Sequence, residues 1–198
     1  MIEVLKFEGK TEEEVLKNIE VDNYHYKVEE VKAGLLKGKK YVLEAISKDE
    51  VKKFIKNFIS TLAEAMNIKV STEIRYNEDY YSVMLISESN PILIGKEGRT
   101  LNSIQLLLHQ TLSNLTNFNI RITVDAAGYK QNKEKRLESV AKKVCKEVLN
   151  TKVEAKLDPM NSYERRIIHN TVGKFDKLKS ESFGEEPQRY VVISYKED

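Results

Sequence analysis

The 198-residue chain contains a single cysteine, Cys145. One thiol cannot form an internal disulfide, and this scarcity is typical of proteins kept in a reducing compartment. No apolar run approaches the roughly 20 residues that a membrane-spanning helix requires. The N-terminal segment is charged from its third residue, which does not fit a secretory signal. We therefore expect a cytoplasmic protein without a transmembrane segment.

Sequence signatures of common enzyme classes are missing as well. The chain has no GxSxG, no GxxxxGK[ST] and no His-Glu-x-x-His, so the hydrolase, P-loop NTPase and zinc protease templates do not fit. His25 and His109 have no second metal ligand nearby, and Cys145 lies in a helical pattern without a neighbouring histidine. We expect no enzymatic activity, no cofactor and no bound metal.

Charge is abundant but unevenly distributed. Hydrophobic residues make up 40% of the chain and charged residues 32%, a balance typical of a folded protein. Residues 1–46 carry 8 Lys and Arg against 10 Asp and Glu, residues 47–126 carry 9 against 9, and residues 127–198 carry 16 against 12. The net charges are therefore −2, zero and +4. Attraction for a polyanion is concentrated in the last third, which favours focused phosphate contacts over a basic coat.

The first 46 residues show a β-α-β-β pattern. Mixed apolar and charged residues ending at Gly9 predict a strand, and Thr11 with Glu14 three residues later predicts a capped helix start. Such a short segment is small for an independent core. Two further strands are expected, with a turn between them bracketed by two glycines: Tyr24–Val31, Tyr41–Ile46, Gly34 and Gly38.

The middle third is organised around a Gly-Lys-Glu-Gly turn at residues 95–98. Glycines at both ends let the backbone turn tightly and leave no side chain between the main chain and a ligand. A long amphipathic helix follows, and its first N–H groups lack partners within the helix at the positive end of its dipole. Backbone amides of this kind suit a phosphate.

The elements around this turn favour a particular fold. Residues 47–125 show the order helix, strand, strand, short helix, GxxG, helix, strand, with Ser47 and Glu50 in a capping-box arrangement at the first helix. This order resembles a type II KH domain (αββααβ), whose GxxG turn clamps the backbone of single-stranded nucleic acid. The acidic residue within the turn departs from what suits a phosphate. The resemblance implies these binding residues: Ile94, Gly95, Lys96, Glu97, Gly98 and Arg99.

The last third contains an Arg-x-x-x-His pair, Arg165 and His169, on one face of a helix expected from Ser162 to about Lys174. With the later Gly-Glu-Glu-Pro-x-Arg hairpin, it resembles the R-three-H domain, named for an arginine and a histidine separated by three residues. The resemblance implies single-stranded nucleic-acid binding at Arg165, Arg166 and His169, where a guanidinium beside an imidazole can hold a phosphate oxygen. A surface salt bridge or cap, formed with Glu164 or Asp158, is the open alternative.

The three modules in this order resemble the bacterial Jag family of SpoIIIJ-associated proteins, also called KhpB or EloR. The fold class is then α+β, with a Jag-N-like domain (1–46), a type II KH domain (47–126) and an R-three-H domain (127–198). The family implies binding of single-stranded RNA or DNA, a KH-only partner (KhpA-like), an envelope-associated protein at the N-terminal domain, and a link to cell elongation and envelope synthesis. The neutral charge of the middle third favours the alternative of a scaffold that dimerises or pairs with the KH-only partner, with RNA binding secondary.

Overall fold

The computed structural model of the protein describes residues 2–32 and 39–196. The chain divides into two compact units, residues 1–127 and residues 128–198. The turn expected at Gly34 and Gly38 lies outside the described residues. Within the described part of the chain, no helix is both long enough and apolar enough to cross a membrane.

The first unit begins with a three-stranded antiparallel sheet in the order β1-β3-β2. The Thr11 hydroxyl accepts a hydrogen bond from the Glu14 N–H at 3.2 Å, as the capping pattern predicted. Val15, Leu43 and Ala45 form a small buried core between helix and sheet. A short 3-10 turn precedes β2, and the elements are β1 (Leu5–Gly9), α1 (Glu12–Leu16), β2 (Tyr24–Lys32) and β3 (Lys39–Ser47).

Strand β3 runs directly into the next helix, α2 (Lys48–Ala65), because Ser47 is both the last strand residue and the helix cap. The Ser47 hydroxyl accepts a hydrogen bond from the Asp49 N–H at 3.2 Å. The capping box expected with Glu50 is wrong, because the Glu50 carboxylate pairs with Lys53 at 3.5 Å on the helix surface. No linker separates the N-terminal module from the helix that follows.

The rest of the first unit has the predicted type II KH order, αββααβ. Strand β5 pairs antiparallel with β4 and parallel with β6, which gives the order β4-β5-β6. Apolar stripes of α2 and α4 and the inner face of β5 are buried, as their spacing predicted. The elements after α2 are β4 (Ser71–Asn77), β5 (Tyr80–Ile86), α3 (Asn90–Ile94), α4 (Arg99–Thr116) and β6 (Arg121–Ala126).

The second unit packs two helices against a three-stranded antiparallel sheet in the order β7-β9-β8. The first helix begins at Tyr129, because Gly128 takes a left-handed conformation and its carbonyl accepts the Asn132 N–H at 3.0 Å. Ile168 and Val172 of the second helix are buried. The elements are α5 (Tyr129–Thr151), β7 (Ala155–Lys156), α6 (Ser162–Val172), β8 (Leu178–Phe183) and β9 (Tyr190–Tyr195).

Candidate nucleic-acid interface

Both glycines of the GxxG turn adopt backbone conformations that other residues avoid. Gly95 has φ 69° and ψ −176°, a region that essentially only glycine populates. A Cβ at this position would overlap the Thr100 hydroxyl and lie 2.8 Å from Thr100 Cβ. Gly98 is left-handed at φ 83°, and its N–H donates to the Gly95 carbonyl at 3.3 Å. The turn therefore depends on glycine at both ends.

The two residues between these glycines point their side chains to solvent. Lys96 and Glu97 are exposed, and Glu97 itself is left-handed at φ 55°, which is uncommon for a residue with a Cβ. Arg99 is also exposed, and its Nη2 lies 4.0 Å from Glu97 Oε2. Ile94 is partly buried at the end of α3. The turn thus presents two cations and one carboxylate on its outer side.

The N-terminus of α4 opens directly onto this turn. Gly98 is its N-cap and, as a glycine, has no side chain that could accept a hydrogen bond from this helix end. The first N–H groups of an α-helix have no partner inside the helix and carry the positive end of its dipole. Together with Lys96 and Arg99, they form a positively polarised surface of the kind that suits a phosphate group.

Arg165 in the second unit is buried and already has an anionic partner. Its side chain is 10% exposed, and its Nη2 donates to Glu186 Oε1 at 2.7 Å. Glu186 lies in the connection between β8 and β9, and its side chain is 56% exposed. The alternative considered from the sequence, a salt bridge of Arg165 with Glu164 or Asp158, was right about an ion pair but wrong about the partner. Glu164 instead pairs with Lys133 and caps its own helix.

His169 is held between two serine hydroxyls of β8. Its Nδ1 lies 2.7 Å from Ser180 Oγ, and its Nε2 lies 2.8 Å from Ser182 Oγ. Burial, and secondly the charge of Arg165, lower the pKa of His169 below its usual 6.5. The imidazole is therefore mainly neutral at pH 7, so it does not supply the second positive charge that a guanidinium–imidazole pair would offer a phosphate.

The sequence contained no signal for Ser180 and Ser182, because an isolated serine in a strand is common. Residues two apart in a strand face the same side of the sheet, so both hydroxyls point towards α6. Arg166, the third residue implied by the resemblance, is exposed on α6. Of the three, Arg166 is thus the one with an accessible charge, whereas Arg165 and His169 are engaged within the domain.

The positive charge of the C-terminal region lies on α5. This helix carries seven Lys and Arg against three Glu, a net charge of +4. That equals the whole net charge of residues 127–198. Its buried face packs into the core through Ala141, Cys145 and Val148. Five cations lie exposed along the opposite side: Lys135, Arg136, Lys142, Lys143 and Lys146.

Comparison with known proteins agrees with this architecture. The family model for the KH domain of KhpA and KhpB matches residues 52–124, and the R-three-H domain model matches residues 135–195. A protein of Clostridium symbiosum named RNA-binding protein KhpB is 35% identical over 175 residues, which cover 86% of this chain and 79% of the relative. The chain belongs to the KhpB family. This confirms the resemblance to Jag proteins that the order of modules predicted.

Two further KhpB proteins extend the comparison. The protein of Bacillus subtilis is 32% identical over 165 residues, covering 82% of this chain and 79% of the relative. That of Streptococcus pneumoniae serotype 2 is 29% identical over 136 residues, covering 69% of this chain but 42% of the relative. Both are also named RNA-binding protein KhpB. The match to the KH model contains the GxxG turn, and the match to the R-three-H model contains the helix with Arg165 and His169.

Proposed function

We propose that this KhpB-family chain binds single-stranded RNA through two phosphate-binding surfaces. One is the GxxG turn with Lys96 and Arg99, and the other surrounds Arg165 and Arg166 on α6. The observation that carries the proposal is the turn itself. Its glycines hold conformations that other residues avoid, beside a helix end whose N-cap is a glycine and whose flanks carry exposed cations. Single-stranded DNA shares the same phosphate chemistry and is the natural comparison ligand.

The GxxG turn is suited to the RNA backbone rather than to bases. Its amides and Lys96 can hold a phosphate while the neighbouring nucleotides extend along the adjacent helix. The Glu97 carboxylate repels phosphate at close range, which lowers the affinity of this turn below that of a fully basic one. Contacts of this kind fix position and not sequence, so we expect little base preference from this surface.

Arg165 can bind a phosphate only by exchanging its present partner. Carboxylate and phosphate both fit the planar fork of donors on arginine. The Glu186 carboxylate is more than half exposed, so it can swing into solvent when a phosphate takes its place. Exposed Arg166 and the cations of α5 add attraction at longer range.

Two weak surfaces on one chain reinforce each other. Once one surface holds an RNA strand, the other meets the same strand at a high effective concentration. Because phosphates dominate the contacts, affinity should fall steeply as salt rises. The appropriate ligand is a strand long enough to reach both surfaces, and shorter strands should bind more weakly.

The test is fluorescence anisotropy of a labelled oligouridylate of about 20 nucleotides, titrated at low and at physiological salt. The variant Lys96→Asp/Glu97→Asp should bind about tenfold more weakly, because it replaces a phosphate-facing cation with an anion. Aspartate tolerates the left-handed backbone at position 97, so the fold should persist. The control Lys10→Asp/Glu13→Asp makes the same charge change on exposed residues of the N-terminal module. Equal affinities of the two variants would remove the GxxG turn from the proposal.

A second candidate function is pairing through the KH domain, favoured by a surface of exposed leucines on α4. Leu106 and Leu107, consecutive residues of this helix, are 56% and 50% exposed. We propose that this surface pairs with a second copy or with a KH-only (KhpA-like) partner while the GxxG turn stays open. In analytical ultracentrifugation, Leu106→Glu/Leu107→Glu should abolish the association. A wild-type chain that stays monomeric both alone and with such a partner would contradict pairing.

The cellular role is proposed on family membership alone. The chain would act in the cytoplasm as a post-transcriptional regulator linked to cell elongation and envelope synthesis. Its N-terminal module would dock on an envelope-associated protein. Cells carrying the Lys96→Asp/Glu97→Asp variant should then show the same change in cell length as cells lacking the protein. Normal length in cells whose variant no longer binds RNA would separate RNA binding from elongation.

A further inference from the structure

The C-terminal sheet has one covered and one open face. Leu178, Val191 and Ile193 point into the core beneath α5 and α6. Side chains alternate along a strand, so Phe183 lies on the face opposite Ser180 and Ser182. Phe183 is 44% exposed there. Among the described residues of this unit, none covers the ring, and its apolar surface is left in water.

Phe183 belongs to an aromatic pair with a cation beside it. Its direct neighbour across the β8–β9 register is Tyr190, with ring centroids 6.2 Å apart and ring planes inclined by 32°. Lys156 Nζ lies 4.0 Å from the centroid of the Tyr190 ring. Cross-strand aromatic pairs commonly stabilise sheets, and that accounts for Tyr190, which is half-buried. A pair that served only to stabilise the sheet would not need the ring of Phe183 to remain exposed.

The position of this pair connects it with the phosphate-binding helix. Strand β8 is an edge of the sheet, so nothing in the sheet pairs beyond it. Ser182, whose hydroxyl contacts His169, directly precedes Phe183. Glu186, the ion-pair partner of Arg165, lies three residues after Phe183. Phe183 and the Arg165 region therefore lie on the two sides of one short stretch of edge strand.

We propose that Phe183 stacks on a nucleobase of a bound RNA strand, while Lys156 contacts an adjoining phosphate. Exposed aromatic rings on sheet surfaces, with cations nearby, bind unpaired bases because every base offers a π-face. An RNA strand crossing the β8 edge has its backbone towards Arg165 and one base over Phe183. The inference rests on the proposed RNA binding and adds a base contact to what is otherwise phosphate recognition. Stacking tolerates any base, so it provides affinity without sequence preference.

The experiment compares Phe183→Ala with the wild-type chain on an oligouridylate that carries a single 2-aminopurine. Stacking on an aromatic ring quenches 2-aminopurine fluorescence. We expect Phe183→Ala to weaken binding about tenfold and to reduce the quenching, because one stacked base is lost. Phe183→Trp, which keeps an aromatic ring, should retain the affinity and the quenching of the wild-type chain. The matched control is Tyr26→Ala, which removes a similarly exposed ring (41% exposed) from the N-terminal module, outside both proposed RNA-binding surfaces, and should leave affinity and quenching unchanged.

An abasic strand of the same length separates base contacts from backbone contacts. The wild-type chain and Phe183→Ala should bind it equally, since it offers phosphates but no base to stack. Wild-type affinity of Phe183→Ala for the oligouridylate would overturn the base contact and leave RNA binding intact. An equal loss on the abasic strand would also overturn it, because the contact would then involve the backbone. Absence of any RNA binding by the folded wild-type chain would instead overturn the proposed function and this inference together.

Discussion

The ion pair between Arg165 and Glu186 makes a prediction in which stability and affinity move in opposite directions. Glu186→Gln keeps the shape of the side chain and one hydrogen-bond acceptor but removes the negative charge. A hydrogen bond to a charged group contributes about 1.5–3 kcal/mol. Because Glu186 is 56% exposed, solvent screens the pair, and we expect the free energy of unfolding to fall by only about 1 kcal/mol.

The same change should strengthen RNA binding. A phosphate that reaches Arg165 in the wild-type chain must first displace the carboxylate, which costs the energy of the pair. Without that competitor, the free energy of RNA binding should become more favourable by about 1 kcal/mol, which corresponds to about a fivefold lower dissociation constant. Glu185→Gln is the matched control, because it makes the same charge change at the neighbouring exposed residue. Its affinity should differ from the wild type by less than about twofold.

The assay is anisotropy of the labelled oligouridylate, with urea unfolding of each variant in the same buffer. Measurement at two salt concentrations shows whether the gain survives screening of general charge effects. If Glu186→Gln is less stable than the wild type and binds no more tightly than Glu185→Gln, the exchange of carboxylate for phosphate is refuted. Arg165 would then be a structural residue that holds the β8–β9 connection.

Three further outcomes follow from the turn and the histidines. Gly95→Ala should lower the free energy of unfolding by about 2–4 kcal/mol in urea, because it strains the backbone and collides with Thr100; a loss below about 1 kcal/mol would contradict the geometry. Glu97→Asn should tighten oligouridylate binding about threefold, since asparagine accepts a left-handed backbone and removes a repelling charge; unchanged or weaker binding would show that the carboxylate does not face phosphate. Burial, and then the positive charge of Lys48 or Arg165, lower the pKa values of His25 and His169. The stability that the two neutral imidazoles contribute is present above pH 6.5 and is lost as the pH falls through their lowered pKa values. The urea midpoint of unfolding should therefore drop on acidification, and it should drop less in His169→Gln. A midpoint independent of pH in this range would contradict the prediction.

Local patterns in the sequence determined the order of elements. Local patterns predicted helices at α2, α4 and α6, because such patterns act between residues close in the chain. The GxxG turn was placed correctly between two helices for the same reason. Helix ends were less certain. The pattern paired Ser47 with Glu50, whereas the Ser47 hydroxyl accepts from the Asp49 N–H and the Glu50 carboxylate pairs with Lys53.

Only the tertiary structure decided what the Arg-x-x-x-His pair contacts. The side-chain partners of Arg165 and His169 lie 11 to 21 residues away, on a strand and a connection whose positions depend on the register of β8 against β9. The same register brings Phe183 beside Tyr190 and leaves its ring open to solvent. Helix spacing placed the arginine and the histidine on one face, as the sequence alone required. Whether that face carries free charge depends on burial and on distant carboxyl and hydroxyl groups, which no local pattern contains.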